Sequence, residues 1–178
     1  MGEQKTTASS VNRAKTYQLV LFPLNNGATN VYYVLVLSYI ATFGSKVLAL
    51  SMLFASVMVT GMRLFDAVTD PIIGALMDRT NGKFGKFRPF MVIGNLIMAA
   101  SILVLYCLTP LIPASAMGLR YAAFVALYAV WVIGYTFQTS CTRSGQTVLT
   151  NDPKQRPMFA SFDGVFNTLL FAIIGIIV

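Results

Sequence analysis

Residues 63–88 read RLFDAVTDPIIGALMDRTNGKFGKFR and join an apolar helix that carries two carboxylates to a Gly-rich segment crowded with Lys and Arg. Asp66 and Asp70 are four residues apart, so a helix places them on one face about one turn apart. An ionised carboxylate at membrane depth is costly unless it faces protein or water and finds a partner. The pair therefore predicts a functional site for a small hard cation, with a structural ion pair to Arg63 as the alternative.

The composition indicates a polytopic membrane protein. Of the 178 residues, 56% are hydrophobic and 11% are charged, whereas a soluble domain has about 25% charged residues. Five apolar segments are long enough to span a bilayer, at residues 17–42, 48–76, 89–112, 120–147 and 158–178, after a polar cytoplasmic tail at residues 1–16. The predicted fold class is thus an all-α membrane protein. Because the helical region 17–178 closes on an apolar run without a polar flank, we expect it to be a piece of a larger bundle.

The basic residues near the ends of these segments predict the orientation. One side of the membrane would hold Lys5, Arg13, Lys15, Arg79, Lys83, Lys86, Arg88, Lys154 and Arg156. The opposite loops hold Lys46 and Arg120. Because Lys and Arg in short loops disfavour translocation, we predict a multi-pass protein of the cell membrane with a cytoplasmic N-terminus. The net charge of +7 then reflects orientation, so the expected partner is the lipid bilayer and not nucleic acid.

Amides interrupt the first predicted helix. Asn25, Asn26 and Asn30 suit sugar hydroxyls, because an amide both donates and accepts hydrogen bonds. Hydrogen bonding between helices is the alternative for these amides. In the fifth predicted helix, Asp163 either faces a cavity or pairs with Arg156 near the membrane surface.

The fourth predicted helix is unusually polar toward its cytoplasmic end, where it carries Thr136, Gln138, Thr139, Ser140, Thr142 and Arg143. These side chains line an aqueous cavity in one interpretation. In the other, the hydroxyls bond to the backbone or to a neighbouring helix, and Arg143 reaches the membrane surface. The aromatic candidates for stacking on a sugar, or simply for packing, are Tyr32, Tyr33, Trp131 and Tyr135. Cys107 and Cys141 lie in apolar runs and receive no role.

The connection between the second and third predicted helices combines glycines with charges, at Gly74, Asp78, Arg79, Lys83, Gly85 and Arg88. We predict a tight cytoplasmic turn in which Asp78 caps or pairs with a neighbouring helix end while the basic residues hold the membrane side. A Gly-rich loop that cradles phosphate follows a strand, and this one follows a membrane helix. Nucleotide binding is therefore excluded.

The string FDAVTDPIIGALMDRTNGKFGKFRPF resembles the glycoside-pentoside-hexuronide:cation symporter family of the major facilitator superfamily, and YTFQTS at 135–140 and NDPKQRP at 151–157 fit it more loosely. The resemblance implies roughly twelve helices in two six-helix bundles, of which this chain would hold most of the N-terminal one. Without the C-terminal bundle, we expect the chain alone to be inactive. The resemblance also implies that Asp66, Asp70, Thr69 and Thr136 bind a monovalent coupling cation, sodium, a proton or lithium, with Arg63 beside the site.

Two departures from the family pattern affect the substrate. Sugar-binding carboxylates that the family places in helices one and four align here with Asn25 and Thr139, and an aromatic aligns with Arg143. The residues expected to bind substrate are thus Asn25, Asn26, Thr139, Arg143 and Tyr135. Since a substrate carboxylate would be repelled by acids and attracted by Arg143, we hypothesise an anionic glycoside such as a uronide.

The predicted function is cation-coupled symport of a sugar or glycoside by alternating access, with no covalent chemistry and no cofactor beyond the coupling cation. One alternative is a membrane sensor or lipid-handling relative that does not transport. The other is a membrane phosphotransferase that binds a divalent metal through Asp66, Asp70 and Asp78, although the Asp-Gly and Ala-Arg pairs of such enzymes are missing. A requirement for sodium rather than magnesium or manganese separates these classes.

Overall fold

The computed structural model describes residues 12–80 and 85–177, and this part of the chain is helical. The long helices are α1 (Thr16–Lys46), α2 (Met52–Arg79), α3 (Arg88–Leu103), α4 (Met117–Leu149) and α5 (Gln155–Ile177). A π-helical turn at Val104–Leu108 and a 3-10 turn at Thr109–Leu111 extend α3. Helices α1 and α2 extend beyond the apolar segments that predicted them. Helix α1 continues to Lys46 and α2 continues to Arg79, because a helix does not stop where its sequence becomes polar. Lys5, Lys83 and most of the predicted tail lie outside the described residues.

Four stretches of the described residues are long and apolar enough to cross a membrane: Met52–Arg79, Arg88–Leu111, Ala114–Gln146 and Gln155–Ile176. They correspond to α2, to α3 with its extension, to α4 and to α5. Helix α1, whose apolar run the three asparagines interrupt, is not among them. Large apolar side chains cover the outer faces, for example Leu64, Leu96 and Ile176, as expected where lipid replaces water. Composition thus supports four of the five predicted spans.

Helix α4 is the centre of the bundle and packs against α3, α2 and α1, while α5 packs against α1. Helix α4 approaches α3 closely: a Cβ atom on Gly134 of α4 would lie 2.9 Å from the carbonyl oxygen of Gly94 on α3. Small residues allow membrane helices to approach this closely. The main core lies toward the predicted external half of the same helices, around the buried rings of Phe124, Tyr128 and Trp131.

A buried arginine fastens the loops at one end of the bundle. Arg120 is 8% exposed. Its Nε and Nη2 donate to the carbonyl oxygen of Ile112 at 3.0 and 2.6 Å, and its Nη1 donates to that of Leu48 at 3.0 Å. Because the guanidinium donates hydrogen bonds to carbonyl oxygens of both loops, it holds the α1–α2 connection against the α3–α4 connection. The sequence predicts only that Arg120 belongs to an external loop, whereas the structure places it in the first turn of α4.

At the other end, the residues before α1 are tied to the α4–α5 connection. Arg13 Nε lies 2.8 Å from Asp152 Oδ2. The Asn12 carbonyl oxygen accepts from the Thr150 hydroxyl at 3.1 Å. The backbone N–H of Lys154, which donates to Asp152 Oδ1 at 2.9 Å, lowers the pKa of the Asp152 carboxyl, and Arg13 adds to this effect. This contact fixes the start of α1 against the start of α5.

Candidate functional site

Helices α2 and α4 bring together three of the four predicted cation ligands, namely Asp66, Thr69 and Thr136. The fully buried Thr136 hydroxyl donates to Asp66 Oδ1 at 2.7 Å. Thr69 Oγ1 lies 3.3 Å from Thr136 Oγ1 and donates to the backbone carbonyl of Asp66 at 3.1 Å. One carboxylate and two hydroxyls, all oxygen donors, therefore meet at the crossing of the two helices.

Asp70 has a different neighbour, although it lies on the same helix face. Its Oδ2 is 3.7 Å from Nη1 of Arg143 on α4, which makes an ion pair longer than a hydrogen bond. Thr139, predicted to bind substrate, instead donates to backbone carbonyls of its own helix, those of Tyr135 and Thr136, both at 3.2 Å. Along the contact between α2 and α4, Asp66 therefore faces hydroxyl groups, and Asp70, about one turn further on, faces a guanidinium.

Arg63 does not form the ion pair that was the structural alternative. Its Nη2 donates to the Tyr33 hydroxyl at 2.5 Å, and its guanidinium lies 5.1 Å from the centre of the Tyr33 ring. An arginine over an aromatic face is stabilised by the ring quadrupole. Among the described residues, the ion pairs do not include one between Arg63 and either acid. Asp66 is therefore left without a cationic partner in this part of the chain.

A small cavity opens beside Asp66 between α1, α2 and α4. Its walls include Tyr33, Arg63, Asp66, Trp131 and Tyr135. The Tyr135 ring is stacked between the other two, 5.1 Å from Tyr33 and 5.4 Å from Trp131 between ring centres. The cavity volume is about 10 Å³, and a space of roughly this size holds about one water. It can therefore admit an ion but no sugar ring.

Two amides predicted on the first helix contact α5. Asn26 Nδ2 donates to Asp163 Oδ1 at 2.6 Å, and Asn30 Nδ2 donates to Asn167 Oδ1 at 2.7 Å. Asp163 thus pairs with α1 and not with the arginine near the start of its own helix. Sequence reasoning missed Asn167, although the signal was present: the partners on each helix are four residues apart.

Asn25, the third predicted amide, points away from the cavity. It lies on the α3 side of α1, near Arg88 and Met91, and its buried Nδ2 has no hydrogen-bond partner among the described residues. The structure therefore separates the predicted substrate residues: Tyr135 lines the cavity, Arg143 reaches Asp70, and Asn25 and Asn26 lie elsewhere. The described part of the chain thus does not bring the predicted substrate residues to one pocket. Adjacent residues on a helix, such as Asn25 and Asn26, point about 100° apart.

The glycine-rich connection holds a charge pair at the base of α2 and α3. Lys86 Nζ lies 2.5 Å from Asp78 Oδ1, immediately before α3 begins. Gly85 has a φ of +84°, which favours glycine, and Gly74 has open space around it. Arg79 and Arg88 are exposed. Lys83, the other member of this predicted motif, lies outside the described residues.

These apolar helices and their inward-facing carboxylates define a polytopic helical membrane protein, as the sequence predicted. A family model described as MFS/sugar transport protein matches residues 22–178, and the chain belongs to this family. The family is one of transporters, so the prediction that the protein is not an enzyme is confirmed.

Individual relatives are similar over most of the chain. It is 32% identical over 165 residues to the uncharacterized symporter YnaJ of Bacillus subtilis (strain 168), covering 89% of the chain and 35% of the relative. It is 37% identical over 125 residues to the putative glycoside/cation symporter YagG of Escherichia coli (strain K12), covering 69% and 26%. It is 26% identical over 164 residues to the glucuronide carrier protein homolog of the same strain, covering 90% and 34%. These relatives confirm the resemblance to the symporters, and the chain spans about a third of their length or less.

Proposed function

We propose that this chain forms part of a cation-coupled sugar symporter that works by alternating access, in the cell membrane with its N-terminus in the cytoplasm. The observation that carries the proposal is the contact between Asp66 and the Thr136 hydroxyl across α2 and α4, beside a cavity of ionic size. A second bundle, for which the greater length of the relatives leaves room, would supply the rest of the sugar cavity. The chain alone would then bind the cation without transporting sugar.

The charges around the site favour one monovalent cation. Arg143 pairs with Asp70, and Arg63, which also lines the cavity, donates to the Tyr33 hydroxyl, so among the described residues Asp66 is left without an ion pair. One unpaired carboxylate suits a single sodium, lithium or proton, and carboxylate and hydroxyl oxygens are suitable ligands for the hard alkali cations. Among the described residues, no group of three or more His, Cys, Asp or Glu side chains could hold a metal ion. The family match, which is to transporters, disfavours a phosphotransferase.

The proposed substrate is an anionic glycoside. One relative is named a glucuronide carrier protein homolog and another a putative glycoside/cation symporter. Arg143 is 75% exposed, so its guanidinium is available to a ligand. A guanidinium binds a carboxylate by charge-assisted hydrogen bonds.

Uptake into vesicles by the full-length protein tests this function. Under an inward sodium gradient, a labelled glucuronide is expected to accumulate inside the vesicles. When the gradient is collapsed, the accumulation should stop. Unlabelled glucuronides should compete about tenfold better than neutral galactosides, as expected for one hydrogen bond to a charged group. If galactosides competed fully and glucuronides did not compete at all, the proposal of an anionic substrate would be wrong. Binding without accumulation under sodium or proton gradients would identify a sensor instead.

Thr136→Val is expected to weaken sodium binding by about tenfold, because it replaces one hydroxyl ligand with a methyl group of similar volume. Trp131, the single tryptophan of the sequence, lines the cavity beside Asp66, so its fluorescence reports on the site. The measurement is a sodium titration of the purified chain in lipid nanodiscs, with choline replacing sodium at constant ionic strength.

Thr142→Val is the matched control for this substitution. The Thr142 hydroxyl donates to the Gln138 carbonyl at 3.0 Å, just as Thr136 Oγ1 lies 3.0 Å from the Val132 carbonyl. Within the described part of the chain, Thr142 has no hydrogen bond to a carboxylate. Loss of the Thr142 hydroxyl in this control variant should leave the sodium affinity unchanged. Equal affinities in both variants and in the wild type would exclude Thr136 as a ligand.

A further inference from the structure

We propose that Arg143 is an exchangeable counter-ion of Asp70: its guanidinium neutralises this carboxylate in the absence of ligand and is drawn away when an anionic substrate binds, which leaves Asp70 to the coupling cation. The inference rests on the proposed function and adds the residue that links the two ligands. It is carried by the ion pair between Arg143 Nη1 and Asp70 Oδ2, at 3.7 Å.

The setting of Arg143 differs from that of the structural arginines of this protein. Arg120 is buried and donates to two carbonyl oxygens, and Arg63 donates to a tyrosine hydroxyl and covers its ring. Arg143 is 75% exposed, and among the described residues its polar partner is Asp70, itself 35% exposed. An exposed ion pair without a hydrogen bond is weak, so a ligand can displace it at little cost.

The geometry places this pair beside the cation site. Thr136 and Arg143 are seven residues apart on α4, which puts them on one helix face. Helical side chains lean toward the N-terminus of their helix, so Arg143 reaches back toward Thr136. On α2 the facing residues are Asp66 and Asp70, and the two contacts run in the same order along both helices. A guanidinium on Asp70 and a cation between the two acids would therefore compete.

Competition for Asp70 makes the two ligands help each other. A carboxylate that draws Arg143 away uncovers a negative charge about one turn from Asp66, so the affinity for the cation rises. By thermodynamic reciprocity, a bound cation frees the guanidinium and raises the affinity for the anionic substrate by the same factor. A neutral sugar, which has no charge to attract Arg143, would bind without this gain. The pair thus couples charge on the substrate to occupancy of the cation site.

Arg143→Gln tests the exchange by removing the competitor. The sodium affinity of the purified chain, followed by Trp131 fluorescence in nanodiscs, is expected to rise about threefold to fivefold, the upper part of the range for loss of an exposed ion pair. Arg143→Lys, which keeps the charge, should stay close to wild type. Arg156→Gln removes the same charge from an exposed position with no ion pair to Asp70 and serves as the matched control.

A second measurement uses the full-length symporter with a glucuronide as the probe. The glucuronide should increase sodium affinity in the wild type and leave it unchanged in Arg143→Gln. If Arg143→Gln has wild-type sodium affinity while Asp66→Asn loses sodium binding, the exchange is overturned and the proposed function stands. If the wild type responds to no sodium, lithium or proton concentration, the proposed function fails and the exchange with it.

Discussion

Asp66→Asn is expected to abolish the fluorescence response to sodium at all concentrations up to about a hundredfold above the wild-type midpoint. The substitution keeps the volume and one oxygen of the side chain but removes the charge that faces Thr136. Loss of a charged ligand at a partly buried site costs about 3 kcal/mol or more, which corresponds to a hundredfold or greater loss of affinity. The measurement is the sodium titration of Trp131 fluorescence in nanodiscs, repeated with lithium and with protons.

Asp78→Asn is the control, since Asp78 lies on the same helix but at its exposed end, where it pairs with Lys86. This variant should bind sodium as the wild type does. Circular dichroism and thermal midpoints close to wild type would show that Asp66→Asn is folded. If Asp66→Asn were folded and its sodium midpoint were unchanged, Asp66 would be a structural residue and the proposed cation site would be wrong.

Gly134→Ala is expected to destabilise the α3–α4 pair by about 2–3 kcal/mol, the upper part of the range for overpacking a close contact. The added methyl group would lie 2.9 Å from the Gly94 carbonyl oxygen and also 2.9 Å from side-chain carbons of Ile97 and Met98. Side chains can rotate away, but the backbone oxygen moves only if the two helices separate. Loss of helical signal on heating, followed by circular dichroism in detergent, should begin at a clearly lower temperature.

Gly118→Ala provides the comparison on the same helix. Apart from the adjoining backbone of its own helix, no atom of the described residues lies within 4 Å of the position that its Cβ would take. Because alanine favours helix over glycine, this variant should be as stable as the wild type or more stable. Equal midpoints for the two variants would show that α3 and α4 do not meet as closely as the structure has them.

Much of the architecture follows from the sequence. Apolar runs separated by charged loops predict membrane helices, since a spanning segment must satisfy its own backbone and match the bilayer thickness. The spacing of Asp66 and Asp70 predicts a shared face, and the segment from Arg63 to Phe90 identifies the symporter family. The pairing of Asn26 and Asn30 with α5 was also within reach, because both helices repeat polar residues at the same interval.

The partners of each polar residue required the tertiary structure. Helical spacing fixes where a side chain lies on its own helix but leaves open which helix faces it, and that depends on rotation and on axial position. Close contacts set both: a Cβ on Gly27 would lie 2.8 Å from Leu170 on α5, and this packing turns Asn26 toward Asp163 and Asn25 away from it.

The sequence by itself determined the class of protein, its helices and the pair of acids, because these depend on hydrophobicity and on intervals along one chain. Only the tertiary structure decided that Asp66 contacts a hydroxyl, that Asp70 contacts Arg143 and that Arg63 contacts Tyr33. All three residues lie within eight positions on α2. Their different partners come from the way α1 and α4 cross α2, which is fixed by packing between helices and not by any local signal in α2.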